Sequence, residues 1–337
     1  MRRSEILRYA GNMAQVAGIE EKSYGRGKAR GLASFELRTG SGLECVLIPD
    51  KCLDIHQLRY RGVNIGFLAK NGLVGPSFLH PVEGEFDVYW SAGMLCTCGL
   101  LNIGTDCRDA EGRYHPLHGR VGMTPAEQAS ARAYWEGDRY LLEARAETRE
   151  SSMGRENLRL ERTVRSELGS SALEIEDLVV NDEPEAVEYM LLYHFNFGYP
   201  FLDAGLRLIL PEAARPPEAR TESARPGLAS WDAMGEPGDG RPEEVFFHYP
   251  RPDASGLVEA RLENPRLGFG AALRYEAAAL PVLTEWKSLR SGEYALGVEP
   301  GTGTLRGRAA ERGSGSLRRL GPFASERRRL SLSFYDL

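Results

Sequence analysis

Along much of the chain apolar and polar residues alternate with a period of two. Leu158 and Leu160 are interleaved with Arg159 and Glu161, and Leu173, Ile175 and Leu178 with Glu174, Glu176 and Asp177. Near the C-terminus Leu330, Leu332 and Phe334 alternate with Ser331, Ser333 and Tyr335. A period of two places one face on a core and the other toward water, as in a half-buried strand. Further strands are predicted at Leu43–Ile48, Val63–Leu68, Tyr140–Ala146, Val187–Phe195, Val245–Tyr249, Leu257–Leu262, Phe269–Tyr275 and Tyr294–Val298. Short strands at these intervals, joined by Gly, Pro and Asp turns, predict an all-β protein built as an antiparallel sandwich or barrel.

Helical spacing is confined to two places. Over residues 1–20, Ile6, Ala10, Met13 and Val16 recur at three or four residues, with Ser4 as a cap and Gly18 as a stop, which predicts a short amphipathic helix. Thr124-Pro-Ala-Glu127 has the capping-box arrangement with proline at the first helical position and predicts a helical turn. The segment Pro211–Glu243 is rich in Pro, Ala, Gly, Glu and Arg and lacks alternation. It reads as a long loop excursion, because strand patterns resume on both sides; one domain over 1–337 is expected.

Composition narrows the function. Of 337 residues, 42% are hydrophobic and 27% charged, so a large core is expected and a disordered chain is excluded. The net charge of −6 argues against binding a nucleic-acid backbone. The Arg-rich stretch from Glu311 to Arg329 reads as solvated charge balanced by nearby glutamates. No apolar run approaches the roughly 18 residues of a membrane span. The N-terminal residues carry no apolar stretch of the secretory type, and the five cysteines are odd in number. A cytoplasmic protein without a disulfide framework is therefore expected.

The histidines are His56, His80, His115, His118, His194 and His248. No HExxH pair, GxSxG elbow, phosphate loop or dinucleotide fingerprint is present. Three clusters remain: His115-Pro-Leu-His118-Gly-Arg120, Tyr193-His194-Phe-Asn196-Phe-Gly198 and Gly297-Val-Glu299-Pro-Gly-Thr302. Imidazole, carboxylate and amide or guanidinium donors are the parts that move protons around a polyol. On a strand, Asn196 shares the face of His194 and Tyr193 does not. A zinc site can also be drawn from Cys96, Cys98, Cys107, His115 and His118, although its spacing is not that of a CxxC knuckle; packing thiols are the default.

The motifs Ile48-Pro-Asp-Lys-Cys-Leu-Asp-Ile55, Cys98-Gly-Leu-Leu-Asn102, Leu117-His-Gly-Arg120, Leu191-Leu-Tyr-His-Phe-Asn-Phe-Gly198, Trp286-Lys287 and Leu296-Gly-Val-Glu-Pro300 run in order over most of the chain. In them the sequence resembles the aldose 1-epimerase (galactose mutarotase-like) superfamily, in particular its divergent branch carrying a domain of unknown function. The resemblance implies a large antiparallel β-sandwich and an isomerase that interconverts the α and β anomers of an aldose without metal or organic cofactor. It implies Glu299 as general base on the anomeric hydroxyl, His194 as general acid on the ring oxygen, and His118 at the ring-oxygen region. Asn102, Asn196 and Trp286 are further expected sugar contacts. Typical members carry arginine after the early asparagine, where this chain has Ile103; Arg120 is the expected replacement. They also carry an aspartate ahead of the late glutamate, where this chain reads Glu243-Glu-Val-Phe-Phe-His248, so Glu244 or His248 is expected in its place. The cations Arg120 and Lys287 would suit an acidic, phosphorylated or otherwise modified sugar. A non-catalytic sugar-binding module and a lyase or epimerase acting at another carbon are the alternatives. The expected partner is a small sugar or sugar derivative, with no nucleic acid or membrane, and a homodimer would cover exposed sheet edges.

Overall fold

The computed structural model describes residues 2–78 and 83–337; His80 lies outside them. The predicted sandwich is present. One sheet has eight strands in the order Arg207–Ile209, Leu257–Asn264, Phe269–Glu276, Ser325–Asp336, Ala172–Asn181, Asn157–Glu167, Arg139–Ser151 and Gln128–Glu136. Opposite it runs Glu218–Ala219, Glu244–His248, Val282–Arg290, Glu293–Gly301, Val187–Gly198 and Arg318–Leu320, and Leu95–Leu100 also pairs with Val187–Gly198. Paired strands in these sheets are antiparallel. A five-stranded meander, Gly18–Ser23 through Val63–Asn64, adjoins them.

Alternation explains the packing. Leu158, Leu160 and Val164 from one sheet meet Leu191, Tyr193, Phe195, Leu296 and Val298 from the other in a continuous buried core. Each large apolar side chain so buried contributes about 1.5–3 kcal/mol. A second buried cluster forms on the outer face of the His194-bearing sheet, from Cys96, Cys98, Leu192, Val245, Phe247 and Val282. That sheet is therefore covered on both faces, which suits a site built on its outer side.

One polar network crosses the core. Arg162, fully buried, donates Nε to Asp177 Oδ1 at 2.8 Å, Nη2 to Asp177 Oδ2 at 2.6 Å and Nη1 to Asp54 Oδ1 at 2.7 Å. Tyr193 donates its hydroxyl to Asp177 at 2.8 Å, and Thr97 donates its amide and hydroxyl to Asp54. The network thus locks the strands of Tyr193 and Thr97 to the opposite sheet.

Two local expectations are corrected. Residues 1–20 do not form one helix: a turn at Arg3–Ile6 and a 3-10 turn at Met13–Gln15 are followed by a strand that begins at Gly18. Gly11 interrupts the periodic run, and a helix this short is marginal without packing. Thr124–Glu127 is not helical; the 3-10 turn is Val121–Met123, and Thr124 is extended and bonds its hydroxyl back to Arg120 O. The Pro211–Glu243 excursion carries an edge strand at Glu218–Ala219 and a 3-10 segment at Glu222–Ala229. In the Arg-rich tail, Arg327 and Arg329 pair with Glu176, whereas Arg328 is buried. Among the described residues no helix is long and apolar enough to cross a membrane.

Candidate active site

Strand register assembles the site. Phe195 stands opposite Val298 and Asn196 opposite Gly297, which sets His194 opposite Glu299. Glu299 faces Thr284 on its other side, Thr284 faces Phe247, and His194 faces Cys96. Cross-strand neighbours share a face. Phe247, Thr284, Glu299, His194 and Cys96 therefore form one row across five strands, outside the sandwich. The next row is Val245, Trp286, Gly297 and Asn196.

At the centre, His194 Nε2 lies 3.1 Å from Glu299 Oε1. The approach lacks hydrogen-bond geometry, and neither Glu299 oxygen has a hydrogen-bond partner among the described residues. His194 Nδ1, Asn196 Oδ1, Thr284 Oγ1 and Trp90 Nε1 are likewise buried without partners there. Buried polar atoms are ordinarily paired. Six of the eleven exceptions among the described residues belong to these five side chains of one small region. Burial pushes the Glu299 carboxyl well above the carboxylate range, opposed by the charge of Arg220. Burial, and then the neighbouring His118 ring, hold His194 well below the usual imidazole range. Each charged form is disfavoured alone, so the pair is suited to hold one proton between two acceptors.

Glycines shape the surroundings. A Cβ on Gly297 would stand 2.4 Å from Glu299 Oε1 and 3.1 Å from His194 Cε1, so only glycine leaves room for the carboxylate to lie over it. His118 adopts φ 59°, and Gly119 follows at φ 74°, where a Cβ would meet Gly99 O at 2.2 Å. This tight turn delivers the His118 ring to 5.6 Å from that of His194. The Gly104 amide donates to His118 Nδ1 at 3.4 Å, which assigns the ring proton to Nε2. Burial, aided by Arg220, lowers His118 to about 4, so its ring is neutral near pH 7.

Aromatic rings wall the site. Trp90 and Trp286 pack edge to face at 5.6 Å, and each lies within 5.7 Å of His194. Phe86 stacks on Trp90 and touches His118, and Phe67 flanks both tryptophans. Trp286 Nε1 donates to Glu243 at 2.8 Å. The excursion thus contributes Glu243 and Arg220 to the site. These two residues, with Phe67, Phe86, Trp90, Thr284 and Gly297, went unnoticed as individual site residues in the sequence. Parity from His194 and Glu299 could have found Gly297; the loop residues leave no periodic signal.

Other expected contacts stand elsewhere. Asn102 donates to Thr105 O and Pro116 O and accepts from the Arg308 amide, so it ties loops together with its side chain spent. Arg120 donates to Tyr114 O, and its charged neighbours are Glu150, Arg113 and Glu156, away from the dyad. Glu244, His248 and Lys287 share the opposite face of the sheet, because they alternate with Val245, Phe247 and Trp286. There His248 Nε2 meets Glu285 at 2.8 Å, while Lys287 Nζ donates to Trp231 O at 2.8 Å and Ala233 O at 3.4 Å. Lys287 also lies 3.8 Å from Glu244. The structure brings none of these five to His194 and Glu299. The cysteine–histidine set does not converge either: Cys107 contacts Asn102, His115 bonds Asp109, and no metal-holding group of three occurs among the described residues.

Comparison with known proteins gives the fold a context. The model of a family described as a domain of unknown function, DUF4432, matches residues 29–334. The crystal structure of a candidate aldose 1-epimerase from Klebsiella pneumoniae subsp. pneumoniae superposes with a TM-score of 0.89 at 26% identity, covering 94% of this chain and 83% of that one. A galactose mutarotase-like protein from Clostridium acetobutylicum gives 0.64 at 13% identity over 96% and 100% of the two chains. Galactose 1-epimerase from Lactobacillus acidophilus gives 0.59 at 11% over 95% and 99%. No curated protein sequence matches. The sandwich is of the galactose mutarotase-like type.

Proposed function

The chain belongs to the family of the domain of unknown function DUF4432, and from its site we propose that it interconverts the α and β anomers of an aldose or aldose derivative. The observation that carries this reading is the group of buried, partnerless polar atoms around His194 and Glu299. A ligand that brings several hydroxyls into a small aromatic-walled space answers that pattern, and a sugar ring does so with apolar C–H faces for Trp90 and Trp286. Relatives of the same fold include a galactose 1-epimerase, which agrees with the reading.

The chemistry needs one proton removed from O1 and one supplied to O5. As the O1–H proton leaves, its electron pair forms the C1 carbonyl, the C1–O5 bond breaks and O5 takes a proton. Rotation about C1–C2 and reversal of these steps yield the other anomer. Glu299 accepts from O1 and His194 donates to O5; His118 holds the ring-oxygen region with its Nε2 proton. Sugar hydroxyls donating to the Glu299 carboxylate favour its ionised form, and the carboxylate 3.1 Å from His194 Nε2 then favours the protonated imidazole that supplies O5. Each positioned acid or base is worth about 10²–10⁴-fold.

Saturation-transfer NMR between α and β anomers, run over neutral, carboxylated and phosphorylated aldoses, tests this. Acceleration with one class, lost in Glu299→Gln and His194→Asn, is expected. Sugar binding with no acceleration in any class would leave a binding module. Solvent deuterium entering a C–H position would instead identify chemistry at another carbon, because mutarotation exchanges none.

A further inference from the structure

The excursion carries four arginines, and they divide sharply. Arg215 lies 3.6 Å from Glu218, Arg225 lies 2.9 Å from Glu222, and Arg241 lies 3.5 Å from Glu244. Arg220 has no carboxylate within ion-pair distance among the described residues; its side chain makes one hydrogen bond there, from Nη2 to Thr105 Oγ1 at 2.8 Å. A guanidinium offers five N–H donors in a planar fork. Sheet register decides where this fork points. Glu218 pairs with Phe247 and Ala219 with Phe246, and the Arg220 amide donates to Val245 O at 2.8 Å. Arg220 thus stands beside Val245 and on its face, in the row that continues through Trp286, Gly297 and Asn196. Its anchor, Thr105, follows Gly104, whose amide orients His118.

Among the described residues the nearby carboxylates leave Arg220 without an ion pair. Arg306 is held by Glu218 at 3.2 Å and lies over the Phe247 ring, while the Glu243 carboxylate takes the Trp286 Nε1 proton at 2.8 Å. Glu299 is fully buried and feels the Arg220 charge, but lies beyond ion-pair distance of it. We infer that Arg220 is a specificity-determining residue that receives an anionic group of the substrate, so that the sugar is an aldose bearing a carboxylate or a phosphate. This rests on the sugar reading above and names its substrate class. The planar fork matches either oxyanion in a bidentate manner, which an ammonium does not. The cation the sequence pointed to at Arg120 or Lys287 is supplied by another element.

The test uses D-galactose, D-galacturonate and D-galactose 6-phosphate with the full chain, measuring anomer exchange and, separately, binding by NMR titration. At low salt the parent should favour at least one anionic sugar over galactose by about tenfold or more in kcat/KM. Arg220→Gln should abolish that ratio, mainly through KM, and Arg220→Lys should restore part of it. The carboxylate and phosphate arms show which oxyanion is read. Equal losses for galactose and the anionic sugars in Arg220→Gln, or no preference in the parent, would overturn the inference while leaving the epimerase reading intact. Absent exchange with Arg220-dependent binding of an anionic sugar would overturn turnover and keep the inference. No binding of any of the three would overturn both. Matching thermal melts of parent and variants show that the comparison is made on folded protein.

Discussion

The two faces of the His194-bearing sheet are both buried and both carry ionisable groups, yet they treat them oppositely. On the inner face, Tyr193 joins Asp177 and Arg162, His248 joins Glu285, and Lys287 is held by two backbone carbonyls. One atom there, Glu285 Oε1, lacks a hydrogen bond, and Lys287 Nζ stands 3.7 Å from it. On the outer face, one residue away along the same strands, Glu299, Asn196 and Thr284 keep buried acceptors without partners among the described residues. Pairing marks the groups that hold the fold, and its absence marks the groups kept for something else. Residue type alone does not separate them: each face has a histidine about 3 Å from a glutamate.

Breaking each face should give different readouts. Glu299→Gln is expected to lower anomer exchange by about 10²–10⁴-fold while the melting temperature stays level or rises, because an unpaired buried carboxyl is removed. Arg162→Met should do the reverse, costing about 3–5 kcal/mol in denaturant unfolding by stranding Asp177 and Asp54. A loss of exchange without a loss of stability in Arg162→Met would contradict the division. Gly297→Ala should lower exchange about tenfold or more by displacing Glu299, with only a small shift in unfolding.

Titration sharpens the comparison further. Burial and the Lys51 charge lower His56 to about 4, below its unfolded value of about 6.5. The unfolded chain therefore binds that proton first, and stability present above about pH 6.5 is lost as pH falls toward 4. Burial raises Glu150 to about 7, so the unfolded chain releases its proton first, and stability falls as pH rises from about 4.5 through 7. Each limb is worth at most about 3–4 kcal/mol. His56→Gln should reduce the acid limb, which His118 shares, and Glu150→Gln should reduce the neutral-to-alkaline limb, which Glu299 shares, in urea titrations from pH 4 to 8. The smallest expected effect is Glu243→Gln, which weakens the bond to Trp286 Nε1 and should raise KM a few-fold, with kcat retained.

The sequence was most legible where one face of a strand meets water. Asn157–Glu167, Ala172–Asn181 and Ser325–Asp336 all alternate and were all anticipated. Leu95–Leu100 and Val282–Arg290 were not, because both are buried on two faces and the second turns Glu285 and Lys287 inward. The same inversion sets Lys287 and His248 on the face away from His194, although their sequence context points to a sugar contact. His118, His194, Asn196, Trp286 and Glu299 were singled out through motif order, and the structure brings them together. Arg220, Glu243 and Trp90 come from segments without periodicity, and their convergence exists only in the folded chain.

Trp286 and Lys287 are adjacent residues that hold the excursion from opposite sides of one strand: Glu243 on the outside, the carbonyls of Trp231 and Ala233 on the inside. The excursion is riveted through the sheet. Its stretch ahead of these anchors, which carries Arg220, joins the sheet at the edge strand Glu218–Ala219, with two strands between it and the one that bears Glu299. If Glu299 and His194 transfer protons and Arg220 selects the substrate, as proposed, the two tasks rest on separable parts, free to diverge at different rates. On the proposed reading, a lineage would retarget the molecule to a new sugar by rewriting a loop while inheriting its chemistry unchanged.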